Sequence, residues 1–198
     1  MIKQLLIATT NKGKQAEISA ILTNRGINLV TPQDIDLKLS VKETGKTYTE
    51  NALLKAHAFC NASGLPSLAD DTGLEVDALD GAPGLYSARF SPEPGATDAD
   101  RRALLLQKLK HLPRPWTARF TCTMALVLSD GRIFTHSGIC EGEIVPVEMG
   151  DFGFGYDRLF LCKGPGKTMA ELNMDEKNHI SHRAKAAAGL FEFIQTIR

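Results

Sequence analysis

The chain has 198 residues, 43% hydrophobic and 23% charged, the profile of one soluble globular domain able to bury a sizeable core. Lysine plus arginine number 23 and so do aspartate plus glutamate, so the formal net charge is zero. That argues against a protein that grips nucleic acid through a broad basic face, while leaving room for a small polyphosphate pocket.

The first apolar run, Lys3 to Ala8, reads as a buried strand. Thr9-Thr10-Asn11-Lys12-Gly13-Lys14 follows, then Ala16, Ile18, Ala20, Ile21 and Leu22 at helical spacing. Strand, polar turn and helix start offer amide N–H groups, hydroxyls and two lysines, which suit phosphate. The Walker spacing is absent, and an ordinary helix cap with solvated lysines would read the same way. Ile27 to Val30 suggests a second strand, ended by Pro32. After the loop Val41 to Thr47, a helix is predicted with Tyr48, Ala52, Leu53, Ala56, Phe59 and Cys60 on one face. Asn51 and Lys55 stand four apart on its flank and can point at one ligand. Glu50 and His57 fall on the solvated side, and Gly64 ends the helix.

Ser67 to Val76 is the stretch around which the chain is organised. It reads as a short apolar strand ending in Asp70 and Asp71, then Thr72-Gly73 and a second apolar run. Adjacent carboxylates suit a hard cation or a shared proton. Asp, Thr and Gly also make an ordinary polar turn.

Gly81 to Phe90 holds a tight turn and a lone cation, Arg89, readable as a structural arginine packed on an aromatic ring. Thr97 or Asp98 is expected to cap a helix through about Leu109, burying Ala103, Leu104, Leu106 and Leu109. Ala118, Phe120, Cys122, Met124 and Leu126 alternate with Arg119, Thr121 and Thr123, a half-buried strand. Asp130-Gly131 signals a hairpin, and Ile133 to Val147 the return strand or strands of a second lobe. In Phe152-Gly153-Phe154-Gly155-Tyr156-Asp157, aromatics alternate with glycines before an acid. Such a segment can stack on a base or plug a core with its rings. A short helix is expected from Thr168 to Leu172, and a final helix from about Ala184 to Ile197. Before it stand Lys177 and Ser181-His182-Arg183, readable as a helix cap; His182 has no second ligand at zinc spacing.

Cys60, Cys122, Cys140 and Cys162 form no Cys-x-x-Cys pair and read as reduced structural thiols of a cytoplasmic protein. No signal peptide and no membrane-length apolar run is visible, so no membrane or nucleic-acid partner is expected. Phosphate, metal and base signals together describe a nucleoside triphosphate.

Six segments in order carry a resemblance: T-T-N-K-G-K (9–14), E-T-G-K-T-Y-T-E-N-A-L-L-K-A (43–56), L-A-D-D-T-G-L (68–74), G-A-P-G-L-Y-S-A-R-F (81–90), F-G-Y-D (154–157) and E-K-N-H-I-S-H-R (176–183). With these, almost end to end, the chain resembles the inosine triphosphate pyrophosphatase family. The resemblance implies an elongated α/β fold, a single domain over residues 1–198 with two lobes, a central mixed β-sheet flanked by helices and a nucleotide cleft between the lobes. It implies Mg²⁺-dependent hydrolysis of dITP, ITP and XTP to the monophosphate and pyrophosphate by a homodimer. By position, Thr9, Thr10, Asn11, Lys12, Gly13, Lys14, Lys55 and Thr72 would bind the phosphates. Glu43, Asp71 and Asp70 would serve the metal, with Asp71 the proton acceptor. Phe154, Gly155, Tyr156, Asp157, Lys177, His182 and Arg183 would shape the nucleoside pocket, with Arg183 or a backbone N–H donating to the 6-keto oxygen. Three positions depart from the family pattern: Lys42 replaces an acid common before Glu43, Thr72 replaces a serine, and Arg158 replaces a proline, a change expected to loosen the loop after the base pocket.

Overall fold

The structure, a computed structural model, describes residues 2–22 and 27–196. In chain order the elements are β1 (Gln4–Ile7), α1 (Lys12–Leu22), β2 (Asn28–Val30), α2 (Tyr48–Ser63), β3 (Ser67–Val76), β4 (Pro83–Gly84), α3 (Asp98–Leu109), β5 (Trp116–Val127), β6 (Ile133–Ile144), β7 (Phe160–Cys162), α4 (Met174–Ile180) and α5 (His182–Thr196). Among the described residues the strands form one mixed sheet in the order β2-β1-β3-β5-β6-β7, with β4 paired to β3. β1 is parallel to both β2 and β3, with Leu6 opposite Ser67 and Ile7 opposite Leu68. β4 runs antiparallel to β3, and β7 antiparallel to β6. The protein is an α/β fold.

The chain divides into two compact units. Unit 1 comprises Met1–Asp71, Cys122–Gly138 and Ser181–Arg198; unit 2 comprises Thr72–Thr121 and Ile139–Ile180. β3, β5 and β6 each contribute residues to both.

Unit 1 buries both faces of its strands, and the cores separate by residue parity. Leu5, Ile7, Leu68, Met124 and Leu126 pack with Ile18 and Leu22 of α1 and with Ala186, Ala187, Leu190 and Ile194 of α5. Their neighbours Leu6, Ala8, Ala69, Ala125 and Val127 pack with Ala52, Ala56, Phe59 and Cys60 of α2. Strand side chains alternate faces, so a strand covered on both sides must be apolar without a break. This is why β1 reads as a continuous apolar run, and why β5 from Cys122 to Val127 is buried on both faces where a half-buried strand was expected. Unit 2 has one core, in which Leu74, Val76, Leu105, Leu109, Trp116, Phe120, Tyr156, Phe160 and Met169 meet. Here β5 alternates, with Thr117 exposed and Trp116, Ala118 and Phe120 buried.

Three expectations change. β3 is one unbroken ten-residue strand, so Asp70 and Asp71 lie in mid-strand and form neither a strand end nor a turn. In α3 the buried face is Arg102, Leu105 and Leu109, three and seven residues apart, not the set that includes the exposed Ala103. Of the two caps expected for that helix Thr97 is the one used, through a capping box with Asp100. α5 begins at His182, because Ser181 accepts from the Ala184 amide at 3.1 Å and supplies the cap. Gly138 of β6 allows α5 to start where it does, since a Cβ there would collide with the His182 carbonyl and the Ala186 amide.

Candidate active site

Asp70 and Asp71 take opposite faces of β3, and each face supplies different partners. Asp70 turns to the α1–α5 side. Its Oδ2 accepts from Arg183 Nη2 at 2.9 Å and Nε at 3.2 Å, and Lys14 Nζ lies 3.2 Å away. Arg183 also donates through Nη1 to Glu17 of α1. Arg183 and Asp70 are each 1% exposed. Two acids and two cations make this buried cluster formally neutral, the condition under which charges tolerate burial. Burial alone would raise the Asp70 pKa, but Lys14 and then Arg183 hold it far below the usual carboxylate range.

Asp71 turns to the α2 side. Its Oδ1 accepts from Lys55 Nζ at 3.0 Å and its Oδ2 from Asn51 Nδ2 at 3.2 Å. The same ammonium donates to Glu43 Oε1 at 2.6 Å. Asn51 Oδ1 in turn accepts from the Gly45 amide at 2.8 Å, which ties the loop carrying Glu43 to the helix carrying Lys55. Thr47 caps that helix by accepting from the Glu50 amide. Glu50, read as merely solvated, accepts from the Lys46 amide and so helps hold the same loop. Burial raises the Asp71 pKa above its ordinary 3.8, only partly offset by Lys55. The Lys55 pKa is also raised: desolvation acts against it, and Asp71, Asp70 and Glu43 together outweigh that.

The turn between β1 and α1 is built from its own side chains. Thr9 Oγ1 accepts from the Asn11 amide at 3.2 Å, and Asn11 Oδ1 accepts from the Lys14 amide at 3.0 Å, capping α1. Gln15 Nε2 donates to the Thr9 carbonyl at 2.7 Å. Thr10, Asn11 and Lys12 are exposed, whereas Lys14 is drawn inward to Asp70. Thr72, the next residue of β3, is half-buried.

In unit 2, Asp157 is the hub. Its Oδ2 accepts from Lys177 Nζ at 2.6 Å and from the Phe154 amide at 3.0 Å. The Lys177 ammonium lies 5.6 Å from the centre of the Phe154 ring, within cation–π range. Tyr156 is buried in the core, and its hydroxyl donates to the Ser87 carbonyl at 2.9 Å. Ser87 is itself fixed, accepting from the Leu74 amide at 2.9 Å. Arg158 pairs with the exposed Asp151 at 3.2 Å, and its carbonyl accepts from the Met149 amide at 3.0 Å.

The structure thus brings together Glu43, Lys55 and Asp71 in one group, Lys14, Asp70 and Arg183 in a second, and Phe154, Gly155, Asp157 and Lys177 in a third. It does not put Asp70 with the other two acids, and among the described residues no cluster of three metal-ligating side chains exists. His182 and Arg183 belong to unit 1, and Phe154 to Asp157 and Lys177 to unit 2. Arg89 is exposed. Lys42 is exposed beside Glu43. Glu17 was missed; an acid among Lys14, Ile18 and Ile21, on the inward side of α1, was its one signal in the sequence. Asn51 and Lys55, expected to point at one group, both meet Asp71; the further bond from Asn51 to the Gly45 amide has no local signature.

A profile of the Ham1 family matches residues 5–193. A dITP/XTP pyrophosphatase of Geobacter sulfurreducens is 48% identical over 186 residues, covering 93% of each chain. A dITP/XTP pyrophosphatase of Thermus thermophilus is 44% identical over 190 residues, 96% of this chain and 90% of that one. The solved structure of a HAM1 protein from Coxiella burnetii superposes with a TM-score of 0.86 at 35% identity, covering 99% of this chain and 100% of that one. A hydrolytic α/β protein is therefore the class at hand, and the chain belongs to the Ham1 family.

Proposed function

We propose that the chain is a nucleoside triphosphate pyrophosphatase that hydrolyses the deaminated purine nucleotides dITP, ITP and XTP to the monophosphate and pyrophosphate. The observation that carries this reading is the convergence of Glu43 and Asp71 on one positive centre, the Lys55 ammonium, at 2.6 and 3.0 Å. Carboxylate oxygens gathered around one cation fit a hard divalent ion, and we assign Mg²⁺ to Glu43 and Asp71. When bound, that ion neutralises triphosphate charge and acidifies a water. Asp70 stays outside the metal set, because its Oδ2 is engaged by Arg183 and Lys14.

Asp71 accepts the proton of the attacking water, a task its raised pKa suits. Lys55 and Lys12, with the turn from Thr9 through Lys14 and the Thr72 hydroxyl, bind the phosphates and balance charge on the departing pyrophosphate. Phe154, Asp157 and Lys177 form the base-reading group. The ring offers a stacking face, and an ammonium donor suits the 6-keto oxygen of hypoxanthine or xanthine but not the 6-amino group of adenine. Tyr156 and Arg183 serve by holding the Ser87 carbonyl and Asp70 in place, and His182 stays with the nucleoside-binding residues.

Residues 1–198 act as one domain with two lobes, a reading supported by the continuous family match over residues 5–193. A homodimer in the cytoplasm is supported by the exposed apolar side chains Tyr86, Val147 and Phe152 and by four buried cysteines. The deciding experiment is pyrophosphate release from dITP, XTP, dGTP, dATP and dTTP, each with and without Mg²⁺. Fast, Mg²⁺-dependent release from dITP and XTP alone is expected. Equal release from all five would remove the base-reading group, and binding without release would remove the chemistry.

A further inference from the structure

The peptide units on both sides of Gly155 are held by side chains of α3. The Gly155 amide donates to Asp98 Oδ2 at 2.8 Å, and the Gly155 carbonyl accepts from Arg102 Nη1 at 2.8 Å. Gly155 adopts a φ of 61°, in the left-handed region, and glycine is the residue with most backbone freedom to lose. Tying the amide on one side and the carbonyl on the other fixes its two dihedrals, and so the direction of the Phe154 ring relative to Tyr156 and Asp157.

The two clamping side chains are themselves immobilised. Arg102 donates to both carboxylate oxygens of Glu148, at 2.8 and 3.1 Å, and Asp98 accepts from Arg101. Asp98 is held below its ordinary pKa despite partial burial, through Arg101 and the Gly155 amide, so it faces Gly155 as a carboxylate. Neither contact is needed to begin α3, since Thr97 and Asp100 already form its capping box. Arg102 instead occupies a position on the buried face of the helix where a leucine would pack more simply. Charged donor and acceptor make these the stronger class of hydrogen bond.

We propose that Asp98 and Arg102 are positioning residues for base selection: α3 sets the pose of the Phe154 ring by clamping Gly155. This rests on the reading of Phe154, Asp157 and Lys177 as the base-reading group. Removing the clamp loosens recognition of the base and leaves the acid and phosphate groups of unit 1 untouched. KM and selectivity should change while kcat holds.

The test compares wild type, Asp98→Ala, Asp98→Asn, Arg102→Lys and Phe154→Ala, measuring kcat and KM for dITP and dGTP together with Tm. Asp98→Ala should raise KM for dITP about tenfold and shrink the dITP over dGTP preference, with kcat within about twofold of wild type. Asp98→Asn keeps an oxygen acceptor for the Gly155 amide and should restore both values. Arg102→Lys keeps the charge on Glu148, loses the fork that also reaches Gly155, and should resemble Asp98→Ala. Amide exchange over residues 152–157 should quicken in Asp98→Ala. A clamp that only stabilises would lower Tm and leave KM and selectivity unchanged in Asp98→Ala and Arg102→Lys, which overturns the proposal. If Phe154→Ala also leaves KM and selectivity unchanged, the base-reading assignment itself fails. If Phe154→Ala alone changes them, only the clamp fails.

Discussion

Asp70 and Asp71 share a peptide bond and little else. Because β3 sends them to opposite faces, Asp70 meets Arg183 and Lys14 while Asp71 meets Lys55 and Asn51. Asp71→Asn keeps the shape and loses the proton acceptor, so kcat for dITP should fall about a thousandfold with Tm little changed. Steady-state kinetics and a melting curve check both halves. The pH profile should carry the same signature. Burial raises the Asp71 pKa, and a divalent ion bound to the same carboxylate would lower it, so the acid limb of kcat/KM should move to lower pH as Mg²⁺ is raised. An acid limb indifferent to Mg²⁺ would remove Asp71 as the ion's ligand. Arg183→Ala leaves Asp70 and Glu17 as buried charges without their shared guanidinium. It should cost about 3 to 5 kcal/mol of stability and lower Tm by roughly 10 °C. The lowered pKa of Asp70 sets the sign of its acid response. Stability from this pair is present above the unfolded carboxylate pKa and is lost as pH falls through the depressed folded value.

At the scale of elements, helices α1, α2 and α5 supply the cations that meet the two acids of β3. α2 presents Asn51 and Lys55 from adjacent turns to Asp71, and α5 delivers Arg183 from its first turn, two residues after its Ser181 cap. The seat of α5 on β6 depends on a missing Cβ at Gly138. Gly138→Ala should force the helix start away from the strand and cost about 1 to 3 kcal/mol. Because α5 carries Arg183, the same variant should lose part of the resistance to acid that the Asp70 pair provides. Denaturant melts at neutral and acid pH separate the two effects.

At the scale of the whole molecule, a divalent ion held by Glu43 and Asp71 would bind only the folded chain and stabilise it by mass action. Mg²⁺ should raise the Tm of wild type and leave that of Asp71→Asn unchanged, and chelation should abolish turnover while the protein stays folded. A Tm of wild type that does not respond to Mg²⁺ would remove this pair as the ion's holder. Among the described residues no helix is long and apolar enough to cross a membrane.

Local pattern alone determined much of this protein. Continuous apolar runs marked β1, helical spacing and Gly64 bounded α2, and Thr97-Asp98 marked the start of α3, because caps and periodicity act within a few residues. Six ordered segments were enough to place the family. Tertiary structure decided what no local rule could. Ser67 to Val76 looked interrupted by polar residues, yet it runs as one strand because Lys14, Arg183, Lys55 and Asn51 satisfy its acids from three helices. Arg183, expected at the base, is consumed by Asp70 and Glu17, partners 113 and 166 residues away in sequence. Asp98 looked like a cap and became a clamp on Gly155 across 57 residues. The reason is common to the first two: a buried charge must find its counter-charge wherever the fold brings one, and sequence distance does not enter that requirement.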